Sequence, residues 1–229
     1  MTWISEHSLI LLLTAAALFT GFWLFLQRSR LRMGLVWVLI LSPLHVIVGV
    51  LCVKVFAALE NFRLGDFQLM SLFGAIFLLP LFYWLGAKLT KRKAAAVFDV
   101  FVVPMVFTLA CARVNCLISG CCRGMIIPGT SVRYPTREIE LVFYAVILTW
   151  FFLRTTRKKT DGILYPVYMI AYGCFRFVIE FFRESVSSIG VFHLSHLWAL
   201  LCLITGLSIY LEMRRKNAAN QKNTKKKAH

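Results

Sequence analysis

From Ser8 to Gln27 the chain runs twenty residues without a charged side chain, and apolar runs of this kind recur down its length, separated by short polar connections. Twenty apolar residues coiled as an α-helix reach about 30 Å, the depth of a bilayer's hydrocarbon core. In hydrocarbon every backbone N–H and C=O must be paired within the chain, so only helices and closed barrels cross. A barrel strand needs only about ten residues with alternating polarity. These runs are longer and unalternating, so they predict helices. The chain is 59% hydrophobic and 16% charged, with a mean hydropathy of +0.75, which excludes an ordinary soluble globular domain. The first run lacks a small-residue cleavage signature, so it reads as a retained helix.

A formal net charge of +16 would suit a nucleic-acid partner if the cations shared one patch. They do not. Arg28, Arg30 and Arg32 form one group; Lys88, Lys91, Arg92 and Lys93 a second; Arg154, Arg157, Lys158 and Lys159 a third; and seven more lie between Arg214 and Lys227. These groups hold eighteen of the 26 lysines and arginines, in alternate connections and in the tail. The pattern follows the positive-inside rule and argues against nucleic acid. It predicts an all-α polytopic membrane protein of seven transmembrane helices, N-terminus out and C-terminus in. Residues 1–213 would form the membrane domain, and residues 214–229 a basic, disordered cytoplasmic tail close to anionic lipid.

Polar residues inside such helices need a reason. The stretch ACARVNCLISGCCRG, Ala110 to Gly124, carries two arginines, an asparagine and two glycines among its cysteines. An intramembrane arginine costs at least about 2.5 kcal/mol to insert and marks a site by default. Counted from a helix start near Val97, Arg113 lies roughly 24 Å up, in the outer part of the membrane. Helix six, expected over 162–182, carries Tyr165, Tyr168, Tyr172, Arg176, Glu180 and Arg183 at spacings of three and four, on one face. Arg176 lies about 21 Å up, nearly level with Arg113. Two arginines at one depth repel unless an anion or a carboxylate lies between them; Glu180, one turn from Arg176, answers for one of the pair. Glu140 falls in the first turns of helix five, where either dipole capping or site chemistry accounts for it. Gly74, some seven residues into a helix three expected from Phe67, permits the close approach of a lipid chain or of another helix. His193, Ser195 and His196 fall at the outer rim. His45 and Lys54 are assigned no role.

Paired guanidinium forks in the outer half of the bilayer suit a phosphate or another lipid headgroup, and in a low-dielectric pocket they also stabilise a departing phosphate. A phospholipid donor follows from that chemistry.

These motifs resemble a known family. The segment from Phe73 to Gly124, with YPTREIE at 134–140 and YGCFRFVIEFFR at 172–183, is similar to the prolipoprotein diacylglyceryl transferases, seven-helix enzymes with an outward-facing site. The family signature G-R-x-G-N-x-x-N-G-E-x-x-G is matched at Arg113, Gly120 and Gly124. Asp99 also has an aspartate counterpart, and Pro135, Thr136, Arg137 and Glu140 stand for the family's Pro-Ser-Gln-x-x-Glu. The helix-six pattern is complete at Tyr172, Arg176, Glu180 and Arg183. The resemblance implies transfer of the diacylglyceryl group of phosphatidylglycerol to the cysteine thiol of a preprolipoprotein lipobox peptide, releasing glycerol 1-phosphate. It implies a bacterial cell membrane, with lipids as surroundings and with neither cofactor nor metal. Arg113, Arg176 and Glu180 would be catalytic; Gly74, Cys116, Gly120, Glu140, Tyr172 and Arg183 would bind substrate.

The departures are concentrated. Where the family has His-Gly-Gly on helix three, this chain has Phe73, Gly74 and Ala75, so the histidine is absent; His193 and His196 are the candidates to replace it as a base. Cys116 and Cys121 stand for the signature's asparagine and glutamate. The seven cysteines do not follow the spacing of a disulfide framework or of a zinc site. Cys52, Cys111, Cys174 and Cys202 read as small packing residues. Cys116, Cys121 and Cys122 leave a rival open, a membrane thiol oxidoreductase or redox sensor, in which Arg113 one turn away favours the Cys116 thiolate. A transporter is disfavoured by the absence of repeats.

Overall fold

The computed structural model describes residues 2–60, 70–157, 162–184, 188–189 and 192–227. These form seven α-helices: α1 (Thr2–Leu31), α2 (Leu35–Glu60), α3 (Phe73–Leu89), α4 (Ala94–Ser119), α5 (Thr136–Arg157), α6 (Leu164–Glu180) and α7 (Leu194–Lys227). Ahead of α7 a two-residue antiparallel hairpin pairs β1 (Ser188–Ile189) with β2 (Phe192–His193). Five helices are long and apolar enough to cross a membrane: α1, α2, α4, α5 and α7. The other two, α3 and α6, have 17 residues each. At 1.5 Å per residue that is about 26 Å, a little under the hydrocarbon thickness.

Helix α4 is the centre of the bundle and packs against α1, α3, α5 and α6. Its face from Val97 to Met105 is almost wholly buried, which explains a long apolar run with no exposed polar side. Trp23 of α1 donates its indole N–H to the Val100 carbonyl at 2.8 Å. His45 is buried within hydrogen-bond range of the Tyr83 hydroxyl, 3.3 Å away, so it serves the packing of α2 on α3. Small residues bring α6 and α7 together: a Cβ on Gly173 would fall 2.8 Å from the Ala199 carbonyl and the Leu203 nitrogen. In lipid such close contact replaces the hydrophobic drive that water supplies elsewhere.

Asp99 fixes the start of α6. Its two carboxylate oxygens accept the Gly162 N–H at 2.7 Å and the Leu164 N–H at 2.9 Å. No side chain of α6 caps its own start. A carboxylate from α4 therefore satisfies the orphan donors and faces the positive end of the dipole.

Two expectations need correction. Helix α3 begins at Phe73, so Gly74 lies in its first turn and not some 10 Å deep; residues 67–69 lie outside the described residues. A Cβ there would collide with the Cys52 carbonyl and Phe56 of α2, so the neighbour that Gly74 admits is a helix backbone. The basic tail, expected to be disordered, continues α7 as helix to Lys227. Between Glu212 and Lys227 there is neither glycine nor proline, and arginine, lysine, alanine and glutamine all propagate helix well.

Candidate active site

Helices α4 and α6 end, and α5 begins, at the same end of the bundle. Pro135 immediately precedes α5, and its carbonyl accepts the Ile139 N–H at 3.0 Å. One residue later Glu140 points inward and is 2% exposed. It meets both arginines. Arg176 donates from Nη1 to Glu140 Oε1 at 2.9 Å, and Arg113 Nε is in direct ion contact with Glu140 Oε2. The Arg176 fork turns its other nitrogen, Nη2, to Glu180 Oε2 at 2.9 Å, and Arg183 Nη1 reaches the same oxygen at 3.3 Å.

The result is a ladder of alternating charge, Arg113 to Glu140 to Arg176 to Glu180 to Arg183, joining three helices. Arg113 and Arg176 are 4% and 6% exposed. Buried charges of this kind persist only when paired and hydrogen-bonded. The carboxylate that two level arginines require is Glu140, one helix away from both. Its side chain faces the arginines, which removes dipole capping as its explanation; the acidic residue in the first turn of α5 is Glu138. The geometry thus brings Arg113, Glu140, Arg176, Glu180 and Arg183 together.

Tyr172, one turn before Arg176, is buried against Phe73 and Phe143. Its hydroxyl and those of Tyr144 and Tyr168 are buried without a hydrogen-bond partner among the described residues. A buried hydroxyl left unpaired costs about 1–3 kcal/mol. Tyr144 and Tyr172 lie within electrostatic range of both Arg113 and Arg176. A cleft of about 280 Å³ opens between α5 and α6, walled by Thr136, Ile139, Phe175, Val178, Ile179 and Phe182.

The connection from α4 to α5 folds over this end. Gly120 closes α4 in the left-handed conformation, φ 72°, so its part is to turn the chain. A side chain on Gly124 would collide with the Tyr134 backbone. Gly124 bridges Arg183, Met125 donates to the Phe182 carbonyl at 2.9 Å, and Glu184 donates its N–H to the Arg123 carbonyl at 3.1 Å. Arg133 ties the same two segments through the Gly124 carbonyl at 2.9 Å and Glu184 at 2.7 Å.

A family profile described as prolipoprotein diacylglyceryl transferase matches residues 10–212. The chain belongs to this family. Similar curated relatives are phosphatidylglycerol–prolipoprotein diacylglyceryl transferases from Dehalococcoides mccartyi, 24% identical over 68% of this chain and 65% of the relative, and from Chlorobaculum tepidum, 27% identical over 65% and 58%. Another, from Nitratidesulfovibrio vulgaris, is 30% identical over 66% and 62%. The matched stretch thus spans somewhat less than two thirds of these relatives' length. Membership makes the chain a bacterial multi-pass membrane protein, in keeping with its five long apolar helices.

Against this diacylglyceryl transferase framework, two residues stand out that sequence reasoning passed over, Tyr144 and Glu60. Tyr144 lies on α5 one turn past Glu140; the i+4 spacing from Glu140 was the available signal. Glu60, at the end of α2, faces Ser71 and Trp198 and lies within electrostatic range of Arg176 and Glu180. Nothing in its local sequence marks it. His196, expected at the exposed rim, is 2% exposed and packs on Phe177 and Phe181. Its Nδ1 accepts the His193 backbone N–H at 3.0 Å, so the neutral ring carries its hydrogen on Nε2. In that tautomer Nε2 is a donor, which is the wrong role for a general base. Cys116, Cys121 and Cys122 gather at the end of α4, with their sulfurs within 4.8 Å of one another. The thiol favoured as thiolate is Cys122, just beyond α4, lowered by its hydrogen bond with Cys116 and by the Arg113 charge.

Proposed function

We propose that the chain transfers the diacylglyceryl group of phosphatidylglycerol to the cysteine thiol of a prolipoprotein lipobox peptide. The observation that carries this reading is the buried ladder, in which Glu140 holds Arg113 and Arg176 side by side. Glu140 takes Arg113 at Nε, the inner edge of its guanidinium, which leaves the outer nitrogens to a phosphate. Arg176, gripped at both terminal nitrogens, is a fixed charge behind them. In the reaction the thiol sulfur bonds to the terminal glyceryl carbon, and the carbon–oxygen bond to phosphate breaks. Its electron pair goes to the leaving oxygen, and the thiol proton ends on the released glycerol phosphate or in solvent. The guanidinium pair stabilises the charge that grows on that phosphate. The tyrosine hydroxyls hold the glyceryl oxygens, and the apolar cleft between α5 and α6 receives an acyl chain.

In this reading all seven helices cross the membrane, with the N-terminus and the ladder toward the outer face and the C-terminus inside. The basic connections support that orientation. Reporter fusions at each terminus test it: an N-terminus accessible only from the inside contradicts it. Supplying the purified protein with labelled phosphatidylglycerol and a lipobox peptide tests the activity, with the thioether product read by mass spectrometry. Arg113→Ala and Arg176→Ala are each expected to abolish the product. Full turnover in either variant rejects the clamp.

A further inference from the structure

The thiol cluster is unused by the reading above and lies beside it. Its sequence spacing is unlike a common zinc motif, yet two left-handed residues on either side of Cys121, Gly120 (φ 72°) and Cys122 (φ 55°), fold the chain back on itself. Cys121 and Cys122 thereby return to Cys116 on the last turn of α4. All three sulfurs lie within 4.8 Å of one another. A tetrahedral ion with metal–sulfur bonds of about 2.3 Å holds its sulfurs roughly 3.8 Å apart. Closing the difference takes a rotation of side chains, not a movement of helices. Cys121 is exposed while Cys116 and Cys122 are half-buried, so the cluster presents one side to the exterior. Among the described residues the cluster offers three thiolates and no fourth ligand, the arrangement of a reactive ion, since purely structural sites close all four positions. Thiolate ligands select thiophilic d¹⁰ ions over magnesium or calcium.

We propose that Cys116, Cys121 and Cys122 bind one zinc-class ion whose open position takes the acceptor's thiol. This rests on the transferase reading for its second half only. The chain has Phe73 where its relatives carry a histidine, and His196 is in the wrong tautomer for a base. A thiol bound to a metal is deprotonated outright, and the thiolate is the nucleophile. The acceptor loses its proton to solvent on binding, its sulfur then bonds to the glyceryl carbon, and the phosphate leaves with the carbon–oxygen electron pair. No oxidant or reductant enters. The cluster lies next to the clamp, because Arg113 and Cys122 are within electrostatic range of each other.

The test begins without substrate. Protein stripped with a chelator and kept in a non-thiol reductant is titrated with Cd²⁺ alone, following the ultraviolet thiolate-to-cadmium band. One ion per chain is expected. Cys121→Ser and Cys122→Ser should each weaken binding by more than about 100-fold, since even an outer-shell partner is worth roughly 10- to 100-fold. Cys174→Ser, outside the cluster, should leave it unchanged. A wild-type protein that is folded by circular dichroism but shows no band overturns the site. So does a band that persists in the triple serine variant, or recovery of these cysteines as disulfides from membranes alkylated at harvest. With substrate, chelation should lower thioether formation more than about 10-fold and Zn²⁺ should restore it. Full turnover in chelator removes the ion from the reaction. Cadmium binding with no thioether under any condition leaves the metal site standing and rejects the transferase reading.

Discussion

Glu140→Gln is the sharpest perturbation of the ladder, because it changes one charge and almost no volume. In the wild-type protein one carboxylate answers two guanidiniums, both nearly inaccessible to water. At 2.9 Å and an effective dielectric of about 20, the Arg176 contact alone is worth roughly 6 kcal/mol of attraction before desolvation is charged against it. Removing one partner of a buried pair costs about 3–5 kcal/mol net. The amide keeps one acceptor oxygen but turns its NH2 donors toward the second arginine, so the interaction there becomes repulsive. Arg113 suffers most, since Arg176 retains Glu180. The expected loss is therefore about 3–5 kcal/mol, read as equilibrium unfolding in mixed micelles with a rising fraction of denaturing detergent. Glu180→Gln should cost less, because Arg176 keeps Glu140 and Arg183 is the more exposed arginine. The double variant Arg113→Met with Glu140→Gln should recover about 1 kcal/mol or more against the sum of the single changes. A Glu140→Gln protein within about 0.5 kcal/mol of wild type, the range of surface substitutions, refutes the ladder.

Asp99→Asn retains one acceptor for α6 and loses the charge that faces its dipole, so stability should fall by about 1.5–3 kcal/mol in the same unfolding assay; no change means that the cap is idle. Tyr172→Phe removes a buried hydroxyl that has no partner among the described residues, so the protein should be as stable as wild type or slightly more so, while its KM for phosphatidylglycerol rises about 10-fold if that hydroxyl binds substrate. A stability loss above 1 kcal/mol would show instead that the hydroxyl is already satisfied. Gly173→Val drives two methyl groups into the α7 backbone at Ala199 and Leu203 and should cost about 1–3 kcal/mol.

The helices were legible because hydrocarbon leaves a chain few choices, and run length with basic connections marks each one. Arg113 and Arg176 were legible for the same reason, since an arginine inside such an apolar run is costly unless something pairs it. Their carboxylate was not. Glu140 lies on a third helix, 27 residues from Arg113 and 36 from Arg176, and periodicity along one helix says nothing about what another turns toward it. Asp99 was noticed without its role, because its partners are backbone groups more than sixty residues away. Gly74 permits close approach, but sequence does not say what approaches. The thiol cluster depends on two left-handed residues, one of them a cysteine, and residue type gives no sign of that turn.

The ladder's composition bears on its chemistry. Three arginines and two glutamates leave one positive charge in excess, with Glu60 off the ladder and only partly buried at the rim. A phosphodiester carries one negative charge, so the phosphatidylglycerol headgroup of the proposed reaction would neutralise the ladder without a counter-ion. The proposed transfer would convert that diester into a monoester, whose charge at neutral pH is between about −1.5 and −2. The charge grows as the carbon–oxygen bond breaks, beside guanidiniums that the two glutamates already hold in place. Interactions that strengthen only as charge develops lower the barrier, whereas those equally strong before and after only tighten binding. In the proposed transfer Glu140 and Glu180 would therefore act by restraint: they keep the buried arginines in place to meet the second negative charge that a departing phosphate gains.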